Sequence, residues 1–380
     1  MGRHPNLFAA LFQSMRSSDL AGRIYKTRSA ALLAALLLLL LSCGGNSSTG
    51  GTPPPPPPPT YITFDAPGAG ALLAEGTLPV AINAGGDIAG YFIDANLFQH
   101  GFLRSAAGTI TVLDDPLSGG RTYAIAINSS GTIAGFFTDS GAQNHGYVRS
   151  ASGVFTNFDP PNGIDLVVTG LNDAGTVTGT YKDMSMAQHV FIRAADGSFT
   201  VFNGPSTAVT TFPLSFIISA SGVVAGTFRD ASGKDHALLR TTDGTVTVSD
   251  PPASTSTDVT AINSTVVAGN FISTSGGVHG FLRAADGTFT VFDPPAQGIT
   301  GDFPASINDG GALVGLYNNA NGNVSGTFSY LRNSDGTFTA LNAGPSGSSA
   351  ITYAEAINAS GVITGFYSSA NQGVHGFVRK

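Results

Sequence analysis

An all-β fold built from one repeated four-stranded unit is what this sequence predicts, and three observations predict it. Gly is abundant at 50 residues, charged residues make up only 11%, and Val, Ile, Thr, Phe and Tyr dominate from residue 61 onward. That is a β composition with many tight turns. One pattern recurs from residue 61 to the last residue, and no part of that stretch has helical periodicity. Finally, the two ends of the repeated region are complementary fragments of a single unit.

The first element of each copy ends at Ala-Ile-Asn or a variant. Asn83, Asn128, Asn172, Asn263, Asn308 and Asn358 mark six copies, and Ser219 takes the place in the fourth. Asn-x-x-Gly then predicts a tight turn, because Asn and Gly tolerate positive φ. Seven residues after the Asn position comes a glycine (Gly90, Gly135, Gly179, Gly226, Gly315, Gly365); Gly269 follows after six. This is the second strand, of Ile-Ala-Gly-Tyr-Phe type. Ten residues beyond the glycine stands a histidine: His100, His145, His189, His236, His279 or His375. The sixth copy has a longer loop and carries Phe328 instead. Four residues on, every copy has an arginine: Arg104, Arg149, Arg193, Arg240, Arg283, Arg332 and Arg379. His-Gly-Phe-Leu-Arg is the third strand. Asp-Gly pairs such as Asp286-Gly287 signal a hairpin. Thr-Phe-Thr-Val-Phe is the fourth strand, stopped by Asp-Pro-Pro at Asp159, Asp250 and Asp293, because proline cannot donate to a ladder.

Successive arginines lie 43 to 49 residues apart. Four strands in that period match a β-propeller blade. The last copy stops at Arg379-Lys380, its third strand. The first ordered residues, Tyr61-Ile62-Thr63-Phe64-Asp65, read as a fourth strand without a blade. The expected fold is therefore a seven-bladed β-propeller with four antiparallel strands per blade, its ring closed by strand 61–65 completing the C-terminal blade. Closure removes the unpaired edges of an open array. Residues 61–380 form one domain on this reading.

Residues 1–42 read as a signal peptide. A basic region precedes the 12-residue apolar run Ala30–Leu41, which is shorter than the ~20 residues of a membrane span. Leu40-Leu41-Ser42-Cys43 resembles the bacterial lipobox. That resemblance implies cleavage after Ser42 and lipidation of Cys43, the sole cysteine. An ordinary secretory signal or an uncleaved anchor stays open. Residues 43–60 form a tether: Gly44–Gly51 is flexible in composition. The seven prolines Pro53–Pro59 make a polyproline II rod of roughly 20 Å at ~3.1 Å per residue. The expected location is exported and membrane-anchored, in the outer membrane or at the cell surface of a Gram-negative cell, with secretion as the alternative.

Removing residues 1–43 leaves 12 cations and 23 anions, a net charge of −11. No basic patch remains for nucleic acid, so none is expected as a partner, and the membrane is met through the lipid alone. A monomer is expected.

The unit resembles the HAF family of extracellular repeats, whose core is Ala-x-x-Ile-Asn-x-x-Gly-x-x-x-Gly followed by His-Ala-Phe. Ala124–Gly135 with His145-Gly146-Tyr147 carries it, as does Ala354–Gly365 with His375-Gly376-Phe377. Glycine mostly replaces the family's alanine after histidine; Ala237 keeps it. The resemblance implies a secreted or surface repeat protein and no particular activity.

Equivalent positions on seven blades spread around a ring, whereas a site needs groups converging at one point. The histidines and arginines are therefore read as structural, with the arginines paired to residues ending the fourth strand (Asp114, Asp159, Asp250, Asn342). Asp139-Ser140-Gly141 and Asp230-Ala231-Ser232-Gly233 lack the ligand spacing of a calcium loop and read as hairpin turns. No catalytic residue, cofactor or metal site is assigned. Asp165, Asp258 and Asp302 fall off the repeat, in the connections between blades, and are the candidate acids of a ligand face. Those connections and the second-to-third-strand loops vary in length and content, and they emerge on one face. The reading leans away from an enzyme, toward an envelope-anchored scaffold that binds a protein or glycan through that face. A propeller hydrolase or lyase acting on a polysaccharide or lactone at the channel mouth is one alternative, and a purely structural envelope protein is the other.

Overall fold

The computed structural model describes residues 59–380, apart from 73, 203–204, 206–207, 211–215, 322–323, 349 and 369–372. The chain divides into a unit over Met1–Pro58 and a unit over Pro59–Lys380. The leader, Cys43 and most of the tether thus lie outside the described residues.

Each copy forms four antiparallel strands, and no helix occurs among the described residues. The second copy is representative: Arg121–Ile127, Ile133–Thr138, Asn144–Arg149 and Phe155–Phe158. The first strand of the fourth copy is divided into Ala208–Thr210 and Phe216–Ile218, which pair side by side with Val224–Asp230. Three copies each form a separate four-stranded sheet, and the fourth copy forms a five-stranded one. The first, second and last copies merge into one twelve-stranded sheet through single parallel pairs, Gln99↔Arg121 and Gly76↔Val374. Tyr61–Phe64 pairs antiparallel with Val374–Arg379, Tyr61 opposite Arg379 and Phe64 opposite Gly376. The first ordered strand thus supplies the fourth strand that the last copy lacks.

The second strand is the most continuously buried, and the third adds one large buried ring in six copies. Phe102, Tyr147, Phe191, Phe281, Tyr330 and Phe377 occupy one register and are all buried. Burying such a ring fully contributes about 1.5–3 kcal/mol. Each ring packs with residues of the adjoining copies: Tyr147 clusters with Leu113 and Ala89 of the first copy. The core is therefore a chain of interfaces between sheets rather than a set of seven separate cores.

The first strand carries a β-bulge at the same point in six copies, three residues before the Asn position: Val80, Ile125, Thr169, Thr260, Ala305 and Glu355. Here the repeated glycine of the second strand is required. A Cβ on Gly135 would stand 2.0 Å from the Tyr123 carbonyl oxygen. Every larger residue is excluded by backbone.

The marker asparagines do something different from what turn chemistry predicts. None of them has positive φ; the left-handed position is the glycine three residues later, such as Gly86, Gly131 or Gly361. Their side chains are buried and used at both ends. The oxygen accepts from the turn of its own copy, as Asn308 Oδ1 does from Ala312 N at 3.0 Å. The amide nitrogen donates to the Asn carbonyl of the following copy: Asn83 to Asn128, Asn128 to Asn172, and Asn172 to Ser219. A second run goes from Asn263 to Asn308 to Asn358. Asn358 then donates to the Asn83 carbonyl at 3.1 Å. Only the step from Ser219 to Asn263 lacks a side-chain bond among the described residues.

Candidate functional site

Antiparallel pairing of the third and fourth strands places five of the six repeated histidines opposite the acid that ends the fourth strand. His100 Nδ1 lies 2.9 Å from Asp114, His145 Nδ1 2.9 Å from Asp159 and His236 Nδ1 2.6 Å from Asp250. His279 meets Asp293 at 2.9 Å. His375 meets Asp65 at 3.0 Å, across the junction of the two chain ends. The other ring nitrogen faces the acid that ends the second strand: His189 Nε2 to Asp183 at 2.9 Å and His236 Nε2 to Asp230 at 3.0 Å. Each ring also packs against an aromatic of the second strand, Phe228 against His236 for example. In the sixth copy Phe328 stacks on Tyr317 in the same way. The histidine register is a structural clasp.

An imidazole held between two carboxylates is fully satisfied only when both nitrogens carry protons. Burial works against the charge on His236, but the hydrogen bonds to Asp250 and Asp230 outweigh it and the net shift is upward. His145 is raised in the same way, against burial, by Asp159 and Asp139. Asp230 is held below the usual carboxylate range by Ser232 and His236.

The arginines do not pair with those acids, which the histidines occupy. Arg104, Arg193, Arg240 and Arg332 instead lie over the fourth-strand rings of the preceding copy, Phe64, Phe158, Phe202 and Phe292, at 4.7–5.5 Å. Their Nη1 atoms donate to the next carbonyl, closing the hairpin; Arg332 reaches Asn333 O. Asn342, the fourth residue expected to bind an arginine, donates its backbone N–H to the Tyr61 hydroxyl and accepts at Oδ1 from Gly344 N. The Asp-x-Ser-Gly stretches are hairpin turns: Asp230 Oδ1 accepts from Ser232 N and Lys234 N. Among the described residues no group of three His, Cys, Asp or Glu side chains could hold a metal ion.

The three off-register acids lie within first strands rather than in connections, and they do not converge. Asp165 sits in Gly163–Leu171 with positive φ, bound to Lys182 Nζ at 2.5 Å and Asn144 Nδ2 at 3.2 Å. Asp258, in Ser254–Ile262, accepts from the Thr227 hydroxyl of the preceding copy at 2.8 Å. Protein packed around it raises its pKa to about 6, despite partial solvent contact. Asp302, in Ile299–Ile307, is fully buried. It takes the position that Thr77, Thr122, Thr257 and Thr352 hold in sister copies. Tyr330 donates to its Oδ1 at 2.7 Å, Oδ2 has no hydrogen-bond partner, and burial pushes its pKa up to about 8. A buried carboxyl without a cation is most stable protonated.

Glu355 escapes a motif search because nothing marks it locally. It is the one charged residue among the six bulged positions, and it is half-buried. Burial raises it to about 7, and its charge bears on Tyr91 and Tyr353. Asp235, buried and clamped by Arg229 at 2.6 and 2.9 Å, is a second residue of this kind. Lining up the copies and asking which residue departs at each register would have found both.

The two faces of the molecule differ. On one lie the Asn turns and the turns joining third to fourth strands. They share one hydrogen-bond pattern with glycine at the left-handed position, and only the fifth copy's Asn turn, shortened by a residue, departs from it. On the other lie the connections between copies and the second-to-third-strand loops. This face bears exposed apolar residues: Leu72, Leu97, Phe98, Leu117, Met184 and Met186.

No protein-family model and no curated protein matches this chain. Solved structures do match. A streptogramin B lyase structure is 14% identical over 85% of this chain and 98% of its own, with a TM-score of 0.54. An acylaminoacyl peptidase from Pyrococcus horikoshii is 11% identical over 80% of this chain and 51% of its own, TM-score 0.55. Prolyl oligopeptidase B from Galerina marginata is 12% identical over 80% and 48%, TM-score 0.51. The fold is a β-propeller. The chain spans about half the length of the two peptidases. Likeness at this level of identity is a statement about the propeller alone.

Proposed function

We propose that residues 59–380 form a closed seven-bladed propeller that serves as a non-enzymatic scaffold, binding a protein or glycan through its loop-bearing face. The contrast between the two faces carries this reading. One face repeats a single turn geometry almost without variation, while the other varies in length, content and exposed apolar surface. Closure is supported by the pairing of Tyr61–Phe64 with Val374–Arg379, by His375 on Asp65 and by the bond from Asn358 to Asn83. Seven blades are supported by the seven copies of the strand pattern. Asp165, Asp258 and Asp302 are engaged by Lys182, Thr227 and Tyr330, which favours a structural use for the acids most suited to chemistry. Export and anchoring through Cys43 are part of the proposal, supported by the apolar run and by Leu40-Leu41-Ser42-Cys43.

The test is capture of envelope proteins and glycans on the full chain. A variant in which loops 94–98 and 183–187 carry the fourth copy's Asp-Ala-Ser-Gly-Lys provides the comparison. Captured species lost with the loop replacement support the reading. Capture that survives it, but is lost on altering the Asn-turn face, defeats it. A hydrolase or lyase is the second reading, favoured by Glu355, a half-buried carboxyl near 7. Turnover of a polysaccharide or lactone that disappears in Glu355→Gln would establish it. Radiolabelled fatty acid incorporated by the natural chain and not by Cys43→Ser would establish the anchor.

A further inference from the structure

Among the described residues, the hairpin turns within the copies follow one rule, apart from the shortened turn at Asn263. A strand ends at residue i, the nitrogen of i+3 donates to the carbonyl of i, and residue i+3 adopts the left-handed conformation. Glycine occupies i+3 almost everywhere, including Gly233 and Gly276 in the second-to-third-strand loops of the fourth and fifth copies. In the first three copies the same loops place Leu97 (φ 65°), Ala142 (φ 64°) and Met186 (φ 67°) there. A bulky side chain in this region is costly, and such strain gathers at functional positions. The hairpin does not need it, because sister loops close identically with glycine.

The strained side chains are also exposed. Leu97 is 53% exposed and Met186 62%. Phe98 (44%) packs its ring edge onto the connection at Gly120, which leads back to Leu117 (66%). Met184 (76%) stands beside Met186. All five are on the loop-bearing face, over copies one to three. Asp94, Asp114, Asp139, Asp159 and Asp183 lie partly exposed among and beside them. Arg121 and Lys182 are the arginine and lysine of this region, Lys182 is held by Asp165, and His100, His145 and His189 stand against the carboxylates. The chain enters the domain at Thr60, paired with Lys380 at the end of the third strand. That end of the strand lies on the opposite face.

We infer that this patch docks a protein partner through an amphipathic segment that is apolar on one side and basic along its flanks. The inference rests on the scaffold reading and names the part of the face that binds and the chemistry it takes. Flexible methionines beside leucine and phenylalanine suit a helix or strand whose apolar side chains need not match a rigid pocket. The surrounding carboxylates select lysine and arginine on its edges and disfavour an anionic membrane surface.

Anisotropy of a labelled Leu/Lys amphipathic peptide on the full chain tests this, beside a Leu/Glu peptide of equal apolar content and phosphatidylglycerol vesicles. The Leu/Lys peptide should bind and the Leu/Glu peptide should not. Leu97→Gly with Met186→Gly should weaken binding about tenfold, the effect of losing a buried aliphatic contact. The same double variant should melt no lower than the natural chain, because glycine relieves both left-handed positions. Peptide binding unchanged in the double variant overturns the inference, as does preference for Leu/Glu. Vesicle binding without peptide binding overturns it in favour of a membrane. The scaffold reading fails separately, when replacing loops 94–98 and 183–187 alters no captured species.

Discussion

Replacing Asn308 separates the two tasks of the marker asparagines. In the natural chain its oxygen accepts from Ala312 N at 3.0 Å, and its amide donates to Asn358 O at 2.9 Å. Alanine removes both bonds, each with a net value of about 1 kcal/mol. The Asn358 carbonyl keeps a partner, because Gly361 N also donates to it at 3.0 Å. The expected loss for Asn308→Ala is thus about 2 kcal/mol. Serine should cost about half as much, because the fourth copy shows what serine can do. There the hydroxyl of Ser219 accepts from Val223 N at 3.1 Å and holds the turn, but reaches no neighbour. Equilibrium urea denaturation of the full chain, followed by circular dichroism, gives both values. Equal losses for Ala and Ser would refute the division of roles. So would losses below about 0.5 kcal/mol, the level of an ordinary surface substitution.

Other perturbations test other parts of the frame. Ser219→Asn should add the missing link to the fifth copy and raise stability by about 1 kcal/mol; an unchanged denaturation midpoint would count against the linking role. His145 and His236 have folded-state pKa values above the ordinary 6.5. Their contribution is therefore fully present below pH 6.5 and is lost as pH rises through the folded values. His236→Phe, copying Phe328, should make melting less sensitive to pH above 6.5. Asp302 is raised to about 8, so it too favours folding below about pH 4 and loses that effect as pH climbs to 8. Asp302→Asn should leave stability at pH 4 nearly unchanged and add on the order of 3 kcal/mol at pH 7; no gain at pH 7 would show that the carboxylate is compensated. Deleting residues 59–66 removes the strand on Val374–Arg379 and the Asp65 partner of His375, and should lower the melting temperature sharply or cause aggregation.

The repeat made the architecture legible because each copy repeats the same residues under the same constraints. Even the substitution of Phe328 for histidine was readable as a ring replacing a ring. The pairing of histidine with the terminal acid was also within reach. Counting both strands back from the turn at Gly108, with Arg104 opposite Ile110, puts His100 opposite Asp114. Assigning Asp114, Asp159 and Asp250 to the arginines ignored that register. The arginine's true neighbour, a phenylalanine of the preceding copy, is fixed by how sheets stack, which no single unit encodes. The same holds for the asparagine amides, whose acceptors lie 44 to 50 residues downstream. Leu97 and Met186 were invisible for another reason. Their meaning lies in a backbone angle, and only the glycines at sister positions reveal that the side chain was retained against it.

The gap at Ser219 has a consequence for how the molecule would come apart. The chain ends are joined by a full strand, a His–Asp clasp and an amide bond. The fourth copy, by contrast, has a divided first strand and lacks the asparagine amide link, meeting the fifth copy instead through the Thr227 hydroxyl at Asp258 and Val259 N. Amide hydrogens in Phe216–Ile218 should exchange with solvent sooner than those of Tyr61–Phe64. The junction of the two chain ends is thus tied by a strand, a clasp and an amide bond together, where the step from the fourth copy to the fifth lacks the amide.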